Sequence, residues 1–380
     1  MTKTKFKHNG ETCIREIQTF QQFIHKGKSL KCCTIQDIDF SKENIDWKKY
    51  KIQETTFLGC TFKDENELLL FKKGAVIFPK PNHLPYQPFR NSLYTWEELM
   101  EGYSIKKDNS IDLKIYKHFS KNKFNPNINE ALWQRIHDHA MDDALGDLLQ
   151  FDKEGMTKKK CVGFMGGHST KRTDEYYTKT ALTTKLLSEA GYFVVSGGGP
   201  GIMEATNLGA YFAKKSVKSL LDAIEILKKA PHYSDKNFNL QAMKVLKKYP
   251  KGGKSLAIPT WFYGHEPSNL FASHIAKYFS NSIREDTLLA VSLFGIICSP
   301  GSAGTTQEIF MDASQNHYGT FNYYSPMIFL GKKRYEIDTM IYPLLKQLSY
   351  GHKYHDLLYI TDEPKAVVNF LKKHPPVKVT

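Results

Sequence analysis

Arginine is scarce in this sequence of 380 residues, although the chain is basic. Only six of its 53 Lys and Arg residues are Arg, and the formal net charge is +14 at pH 7. Surfaces that hold nucleic-acid phosphates or read bases favour clustered Arg side chains, whereas the Lys residues here are scattered among acidic neighbours. The composition therefore argues against a nucleic-acid partner and is typical of a lysine-rich, solvated surface.

Cysteine pairs and long apolar segments are missing as well. None of the six Cys residues has the CxxC spacing of a metal knuckle, and Cys161 and Cys298 lie in apolar runs that suit small buried thiols. The longest apolar run, residues 288–298, is too short to span a bilayer. The polar, Lys-rich N-terminus has no apolar segment of the kind found in secretory signals. These absences predict a cytoplasmic protein without a membrane partner.

The chain changes character near residue 125. Before that point, short β-branched and aromatic runs alternate with polar turns, which predicts an irregular α+β N-terminal domain over residues 1–125, of unknown role. Strand-like and helical patterns alternate over residues 126–380, and this part is predicted to be the catalytic domain. Residues 216–249 carry apolar residues at helical spacing among many Lys residues, which predicts a helical insertion at the surface.

Two segments indicate the fold class. Residues 161–167 and 191–205 each read as an apolar strand that ends in glycines, and helical patterns follow both. Repeated strand–helix units with apolar strands predict an α/β fold, a Rossmann-like parallel sheet with helices on both faces. Further helices are predicted over residues 267–282 and 283–292. Ligands of such sheets bind at the carboxyl ends of the strands, where the glycine turns fall.

The glycine turn at residues 197–201 suits an anion. Glycine has no Cβ, so backbone N–H groups at a helix start can surround a phosphate. The turn lacks the GxGxxG spacing and the later acidic residue of a dinucleotide site, and it lacks the Lys of a P-loop. A nucleotide with one phosphate therefore fits this turn better than NAD or ATP does.

A second turn of small residues, SPGSAGTTQEIFMD at residues 299–312, ends in two carboxylates. A helix opening on Thr305 and Thr306 would place Glu308 in its first turn, where the helix dipole keeps a carboxylate ionised. Glu308 then either caps its own helix or stabilises the positive charge that forms on ribose when an N-glycosidic bond breaks. Asp312 follows one turn later on the same face.

The segments SGGGPGIMEA and SPGSAGTTQEIF together resemble the paired GGGxxGxM and PGGxGTxxE motifs of the LOG (Lonely guy) family, whose members are often mislabelled lysine decarboxylases. Related nucleotide 5′-monophosphate nucleosidases share both motifs. The similarity covers residues 158–335. It implies a Rossmann-like hydrolase that splits a nucleoside 5′-monophosphate into free base and ribose 5-phosphate, needs no metal or other cofactor, and forms a homodimer or a higher homo-oligomer.

The resemblance also assigns roles to residues of this chain. It places catalysis on Glu308 and Arg284. Phosphate and ribose binding fall on the small residues of the two turns, namely Gly197, Gly198, Gly199, Gly201, Gly301, Ser302, Gly304, Thr305 and Thr306. Further candidate contacts are Gly167, His168, Ser169, Met203 and Asp312.

Two departures from the family motifs leave an alternative open. Ser302 stands where the family has its second glycine, and Glu204 stands where it has the last glycine of GGGxxGLMG. A non-catalytic nucleotide- or cofactor-binding protein of the same fold is the alternative function. The sequence does not indicate which base is preferred.

Overall fold

The computed structural model describes residues 12–27 and 29–379 of the chain. Its first part contains four short parallel strands whose order in the sheet follows the chain. They are β1 Thr12–Ile14, β2 Cys33–Gln36, β3 Thr56–Leu58 and β4 Val76–Phe78. Helices α1 Ile17–Lys26 and α2 Asp64–Lys72 and a 3₁₀ turn at Trp47–Lys49 lie in the connections between them.

The spacing of these four strands is regular. Thr12 pairs with Cys33, Thr34 with Thr56, and Thr56 with Val76, so paired positions are 20–22 residues apart. This is the arrangement of a solenoid, in which each coil contacts only its neighbours. The sequence analysis expected short strands and helices without regular order. It missed the repeat because strands of three or four residues are too short to show a period.

The solenoid has an apolar core of its own. Phe40 is buried at its centre, where its ring lies 4.9 Å from the ring of Phe20 and 5.3 Å from that of Trp47. Aromatic pairs at such distances add to the stabilisation that burial provides.

The second part is built on a seven-stranded sheet in which all neighbouring strands are parallel, in the order β12-β11-β9-β5-β6-β7-β8. The strands are β5 Cys161–Met165, β6 Phe193–Ser196, β7 Leu256–Ala257, β8 His274–Ile275, β9 Ile296–Cys298, β11 Met327–Leu330 and β12 Leu358–Thr361. A separate antiparallel pair joins β10 Tyr323–Tyr324 to β13 Val377–Lys378.

Helices cover both faces of the seven-stranded sheet. The helices of this part are α3 Trp96–Leu99, α4 Ile111–Lys121, α5 Ile128–Leu149, α6 Glu175–Glu189, α7 Ile202–Tyr211, α8 Val217–Leu227, α9 Phe238–Lys248, α10 Asn281–Val291, α11 Ala303–Tyr318, α12 Ile341–Leu348 and α13 Pro364–Lys373. Along β5, Val162 and Phe164 pack in a cluster with α6 and α13, while Cys161 and Met165 pack in a cluster with α5, α10 and α11. The predicted α/β, Rossmann-like class is therefore confirmed.

Residues between the solenoid and α5 share the core of the seven-stranded sheet. Tyr94, Leu99, Ile115 and Phe119 are buried in the same cluster as the sheet's inner residues. The backbone of Tyr94 exchanges hydrogen bonds with that of Ile275 at the sheet edge. The predicted domain division at residue 125 stays a prediction. Helices α8 and α9 occupy the predicted insertion over residues 216–249.

The helix predicted over residues 267–282 is wrong in its larger part. That segment carries the edge strand β8, and the next helix, α10, begins only at Asn281. The apolar residues of this segment lie at spacings that resemble a helical stripe. They are buried instead because the backbone pairs with β7 on one side and with Tyr94 on the other. A contact across some 180 residues of chain leaves no local signal.

Among the described residues, no helix is both long enough and apolar enough to cross a membrane. Residues 1–11, on which the expected absence of a secretory signal partly rests, lie outside the described residues. The cytoplasmic location and the association of several copies stay predictions.

Candidate functional site

A cavity of about 670 Å³ lies at the carboxyl ends of β5, β6 and β9. Its walls come from the turns that follow these strands, at residues 166–168, 197–199 and 302–305, and from residues 259–268. Parallel α/β sheets place their ligand sites at this edge. The sequence analysis predicted that the glycine turns fall at this edge, and the structure brings them together there with the turn of small residues at 302–305.

Arg284 and Glu308 face each other in this cavity. Arg284 Nη1 lies 3.3 Å from Glu308 Oε1, and both side chains are largely buried. The guanidinium is fixed from behind, since Nε donates to the carbonyl of Ile258 at 2.7 Å and Nη2 to that of Gly197 at 3.4 Å. A guanidinium and a carboxylate are thus held side by side at the edge of the sheet.

Gly197 makes this position of the arginine possible. A Cβ at residue 197 would lie 2.3 Å from Arg284 Nη2 and 2.7 Å from Met203 Sδ. Such distances are far inside van der Waals contact, so a side chain here would displace the guanidinium. The absence of a side chain at Gly197 therefore makes room for Arg284. The sequence analysis assigned this glycine to phosphate binding.

Glu308 is not a helix cap. Helix α11 begins at Ala303, so Glu308 is its sixth residue and lies in the second turn. The prediction that it lies in the first turn is wrong because the helix opens two residues before Thr305. Burial raises the pKa of Glu308 above its ordinary value, and the neighbouring Arg284 opposes that rise. Burial and the nearby Glu285 therefore favour the neutral form of Glu308, whereas Arg284 favours the charged form.

The start of α11 offers free hydrogen-bond donors. The Ser302 side chain makes no capping bond, and among the described residues no acceptor pairs with the N–H groups of Ala303, Gly304 and Thr305. A Cβ at Gly304 would meet nothing within 4 Å, so the backbone borders open space. Such a helix start is a ready anion site.

The glycine turn before α7 uses N–H groups for hydrogen bonds within the protein. The N–H of Ile202 donates to the carbonyl of Gly167, and the N–H of Gly198 donates to Ser196 Oγ. Gly201 has a φ of +66°, and a Cβ there would lie 2.3 Å from the carbonyl oxygen of Gly167. This turn therefore packs against the first loop, and the start of α11 is the stronger candidate for a phosphate.

Most of the predicted site residues line the cavity. They are Arg284, Glu308, Gly167, His168, Gly197, Gly198, Gly199, Met203, Ser302, Gly304 and Thr305. The predicted residues outside its lining are Ser169, Gly201, Gly301, Thr306 and Asp312.

Packing explains the residues that lie outside. A Cβ at Gly301 would lie 2.1 Å from Thr305 Oγ1, and the carbonyl of Gly301 accepts a hydrogen bond from Arg334 Nη2 at 2.6 Å. The hydroxyl of Thr306 donates back to the carbonyl of Ser302 at 3.1 Å. Ser169 is exposed, beyond the cavity. Gly301 and Thr306 thus make contacts that shape the turn.

Asp312 lies below Glu308, inside the protein. Only 3% of its surface is exposed, and its Oδ2 has no hydrogen-bond partner among the described residues. Burial raises the pKa of Asp312 to about 8. The side chain therefore carries a proton at neutral pH and does not act as an anion.

The Asp312→Asn variant should gain stability relative to the wild type as pH rises from 5 to 8. The unfolded chain releases the Asp312 proton near pH 3.8, whereas the folded chain keeps it up to about pH 8. Because the folded state binds the extra proton, this carboxyl lowers the wild-type unfolding free energy by up to about 1.4 kcal/mol per pH unit in that window. Urea unfolding of both proteins at pH 5, 6, 7 and 8 measures the difference. Identical pH slopes would contradict this account.

Glu204, one of the two departures from the family motifs, points away from the cavity. Its carboxylate accepts from Arg172 Nη2 at 2.5 Å and Nε at 2.8 Å, and from the Tyr177 hydroxyl at 2.8 Å. Arg172 also donates to the carbonyls of Ala230 and Phe238, both within the insertion. This departure therefore ties the insertion to the glycine turn and does not alter the cavity.

Several cavity residues were not found from the sequence. Tyr233 reaches the cavity from the insertion, and its ring lies 5.9 Å from that of His168. Glu285 and Gln307 directly adjoin Arg284 and Glu308 in the chain, yet neighbours on a helix point about 100° apart, so adjacency gave no sign. Tyr263 stands in a loop without a motif.

The loop that carries Tyr263 is fixed by a buried ion pair. Lys277 Nζ lies 2.8 Å from Asp112 Oδ1, and both side chains are almost fully buried. Lys277 also donates to Ser268 Oγ at 3.0 Å, and the indole of Trp261 donates to Asp112 at 2.7 Å. Helix α4 thereby holds both ends of the loop over the cavity.

Across residues 12–27 and 29–379, no three His, Cys, Asp or Glu side chains group in a way that could hold a metal ion. No protein-family model matches the chain, and no curated protein matches it in sequence.

Among solved structures, the chain is similar to the molybdenum cofactor binding protein from Rippkaea orientalis, with 14% identity and a TM-score of 0.36 over 57% of this chain and 97% of that one. It is also similar to the molybdenum cofactor carrier protein from Chlamydomonas reinhardtii, with 14% identity and a TM-score of 0.38 over 57% of this chain and all of that one. Similarities of this size carry no inference about what this chain binds. None of them names the LOG family.

The fold and the cavity define a Rossmann-like α/β protein with an Arg–Glu ion pair beside a helix start whose N–H groups are free within the described part of the chain. Membership of the LOG family stays a proposal.

Proposed function

We propose that the chain hydrolyses the N-glycosidic bond of a nucleoside 5′-monophosphate and releases free base and ribose 5-phosphate. The observation that carries the proposal is the pairing of Glu308 and Arg284 in the cavity, next to the free N–H groups at the start of α11. Helix caps and structural ion pairs explain Glu308 less well, because it lies past the first turn and at a ligand-sized cavity.

The chemistry divides between the two sides of the cavity. The start of α11 would hold the phosphate by charge-assisted hydrogen bonds. Glu308 would then stand near the ribose, where an anion stabilises the positive charge that develops as the base departs. Arg284 would hold the carboxylate in place, since its own position is fixed by two backbone carbonyls.

The phosphate contact predicts strong discrimination between AMP and adenosine. Each charge-assisted hydrogen bond that adenosine cannot make is worth about 1.5–3 kcal/mol, so its kcat/KM should be lower by at least about 100-fold. Base release from both compounds, followed by chromatography, measures the ratio. Equal kcat/KM values for AMP and adenosine would contradict the proposed phosphate contact.

The second candidate is a protein that binds a nucleotide or another phosphorylated cofactor without cleaving it. The observation in its favour is that Arg284 forms an ion pair with Glu308, an arrangement that also suits a purely structural role. Calorimetry with AMP, run beside the base-release assay, separates the two candidates. Calorimetric binding of AMP without any base release supports the binding protein, and base release supports the hydrolase.

A further inference from the structure

A second cavity of about 510 Å³ adjoins the one with the glycine turns. The two cavities share three side chains, those of Tyr263, Glu285 and Gln307. One layer of side chains therefore separates them.

This dividing layer is a chain of hydrogen bonds. Asn281 Nδ2 donates to the Tyr263 hydroxyl at 2.9 Å and to Glu285 Oε1 at 2.7 Å. Gln307 Nε2 donates to Glu285 Oε2 at 2.9 Å. Anything bound in the second cavity thus contacts a network that is one residue away from Arg284 and Glu308 along the chain.

Two cations line the second cavity, Lys123 and Arg135, and no described carboxylate pairs with either. The Lys123 ammonium lies 4.1 Å from the centre of the Phe262 ring, which holds it at the cavity wall. The two acidic side chains of the cavity accept hydrogen bonds from uncharged donors. Asp138 accepts from the N–H groups of Phe279 and Ser280, both at 2.9 Å, and Glu285 accepts from the two amides.

The same cavity contains a helix start and an unpaired acceptor. Helix α10 begins at Asn281, and the N–H groups of Asn281 and Ser282 have no acceptor among the described residues. The Asn281 side chain is 9% exposed and lines the cavity, and its Oδ1 has no hydrogen-bond partner in the described chain. The donation from Nδ2 to Glu285 fixes which atom is the oxygen. This oxygen is itself buried, so the feature that a matching ligand needs is an anionic group.

The remaining walls are aromatic, formed by Phe119, Phe262 and Phe279. Apolar and aromatic walls with a few fixed polar groups are typical of sites for small ring compounds. We propose that the second cavity binds a nucleotide, with its phosphate toward Lys123, Arg135 and the start of α10 and with its base against the aromatic walls. This site is separate from the proposed hydrolytic one and does not depend on hydrolysis.

Calorimetry with ADP as the probe tests the site in the full chain. The Arg135→Ala variant should weaken one ADP site by about 10-fold or more, because it removes a charge-assisted contact. The matched control is Lys121→Ala, which removes an exposed positive charge from the end of α4 outside the cavity and should leave ADP binding unchanged. Ribose 5-phosphate, which has the phosphate but no aromatic ring, should bind at least about 10-fold more weakly than ADP at this site.

Absence of ADP binding, or equal binding by the wild type and by Arg135→Ala, overturns the site. Ribose 5-phosphate binding as tightly as ADP overturns the assignment to nucleotides. Base release from nucleoside monophosphates, assayed separately, tests the hydrolytic proposal alone, so either proposal can fail while the other stands.

Discussion

The Glu308→Gln variant is expected to lose base release by at least about 10²–10³-fold, while its affinity for AMP stays equal or rises. Gln keeps the size and reach of the side chain, so the helix and its packing should survive. The substitution removes a negative charge close to the bound phosphate, which relieves repulsion in the ground state. It also removes the attraction to the cation that develops on ribose, and a loss confined to the transition state lowers kcat without weakening binding.

Paired calorimetry and base-release assays measure both effects. Asp312→Asn is the matched control, because it removes a buried carboxyl from the same helix one turn away, outside the cavity, and should keep the wild-type rate. Arg284→Ala should lose both binding and turnover. A wild-type rate in Glu308→Gln would show that the carboxylate is structural.

The wild-type rate should also depend on pH through Glu308. Burial raises the pKa of this carboxyl above 4.5, and only its charged form stabilises a cation. Base release should therefore fall as pH decreases, and the fall should begin at a higher pH than an ordinary glutamate would give.

The Glu204→Gln variant is expected to lose about 3–5 kcal/mol of unfolding free energy. Arg172 and Glu204 are each 1% exposed, so the substitution leaves a buried guanidinium without its counter-charge. The cost is high because Arg172 cannot turn to water. Its guanidinium carbon lies 3.5 Å from the centre of the Phe238 ring and is held there by the backbone.

Urea unfolding measures this loss, and three further variants make it specific: Arg172→Met, the double variant Arg172→Met/Glu204→Gln, and Glu175→Gln. The double variant Arg172→Met/Glu204→Gln should be less destabilised than the two single losses added together, because neither partner is then left alone. Glu175→Gln breaks the exposed Lys179–Glu175 pair, whose carboxylate is 69% exposed, and should change stability by less than about 1 kcal/mol. A Glu204→Gln protein as stable as the Glu175→Gln protein would contradict the assigned cost.

The central sheet was predictable because its strands are buried on both faces. Residues of β5 and β6 form continuous apolar runs that end in glycine. Such runs are typical of strands in a parallel sheet that is covered on both faces. The edge strand β8 was not predictable, since its two residues owe their conformation to β7 and to Tyr94 far away in the chain.

Within the site, the resemblance selected Glu308 from the PGGxGTxxE motif and Arg284 from the helix before it, and their catalytic roles stay a prediction. It assigned Gly197 and Gly201 to phosphate binding, which stays a prediction, and it gave no sign that a Cβ at either position would lie 2.3 Å from another protein atom. Tyr233 could not be found, because it enters from an insertion that the family motifs do not cover. The position of Tyr233 depends on how α8 and α9 pack on the rest of the domain. The Arg172–Glu204 pair holds this insertion in place through contacts between residues that are far apart in the sequence.

The solenoid of residues 12–78 has a consequence for how this chain can change over evolution. Among the described strands, β1 pairs only with β2 and β4 only with β3, so within this sheet each coil pairs with its immediate neighbours alone. Duplication or deletion of one unit of about 21 residues would leave the remaining coils in contact as before. Related chains can therefore differ in length by whole coils, while the sheet that carries Arg284 and Glu308 stays unaltered.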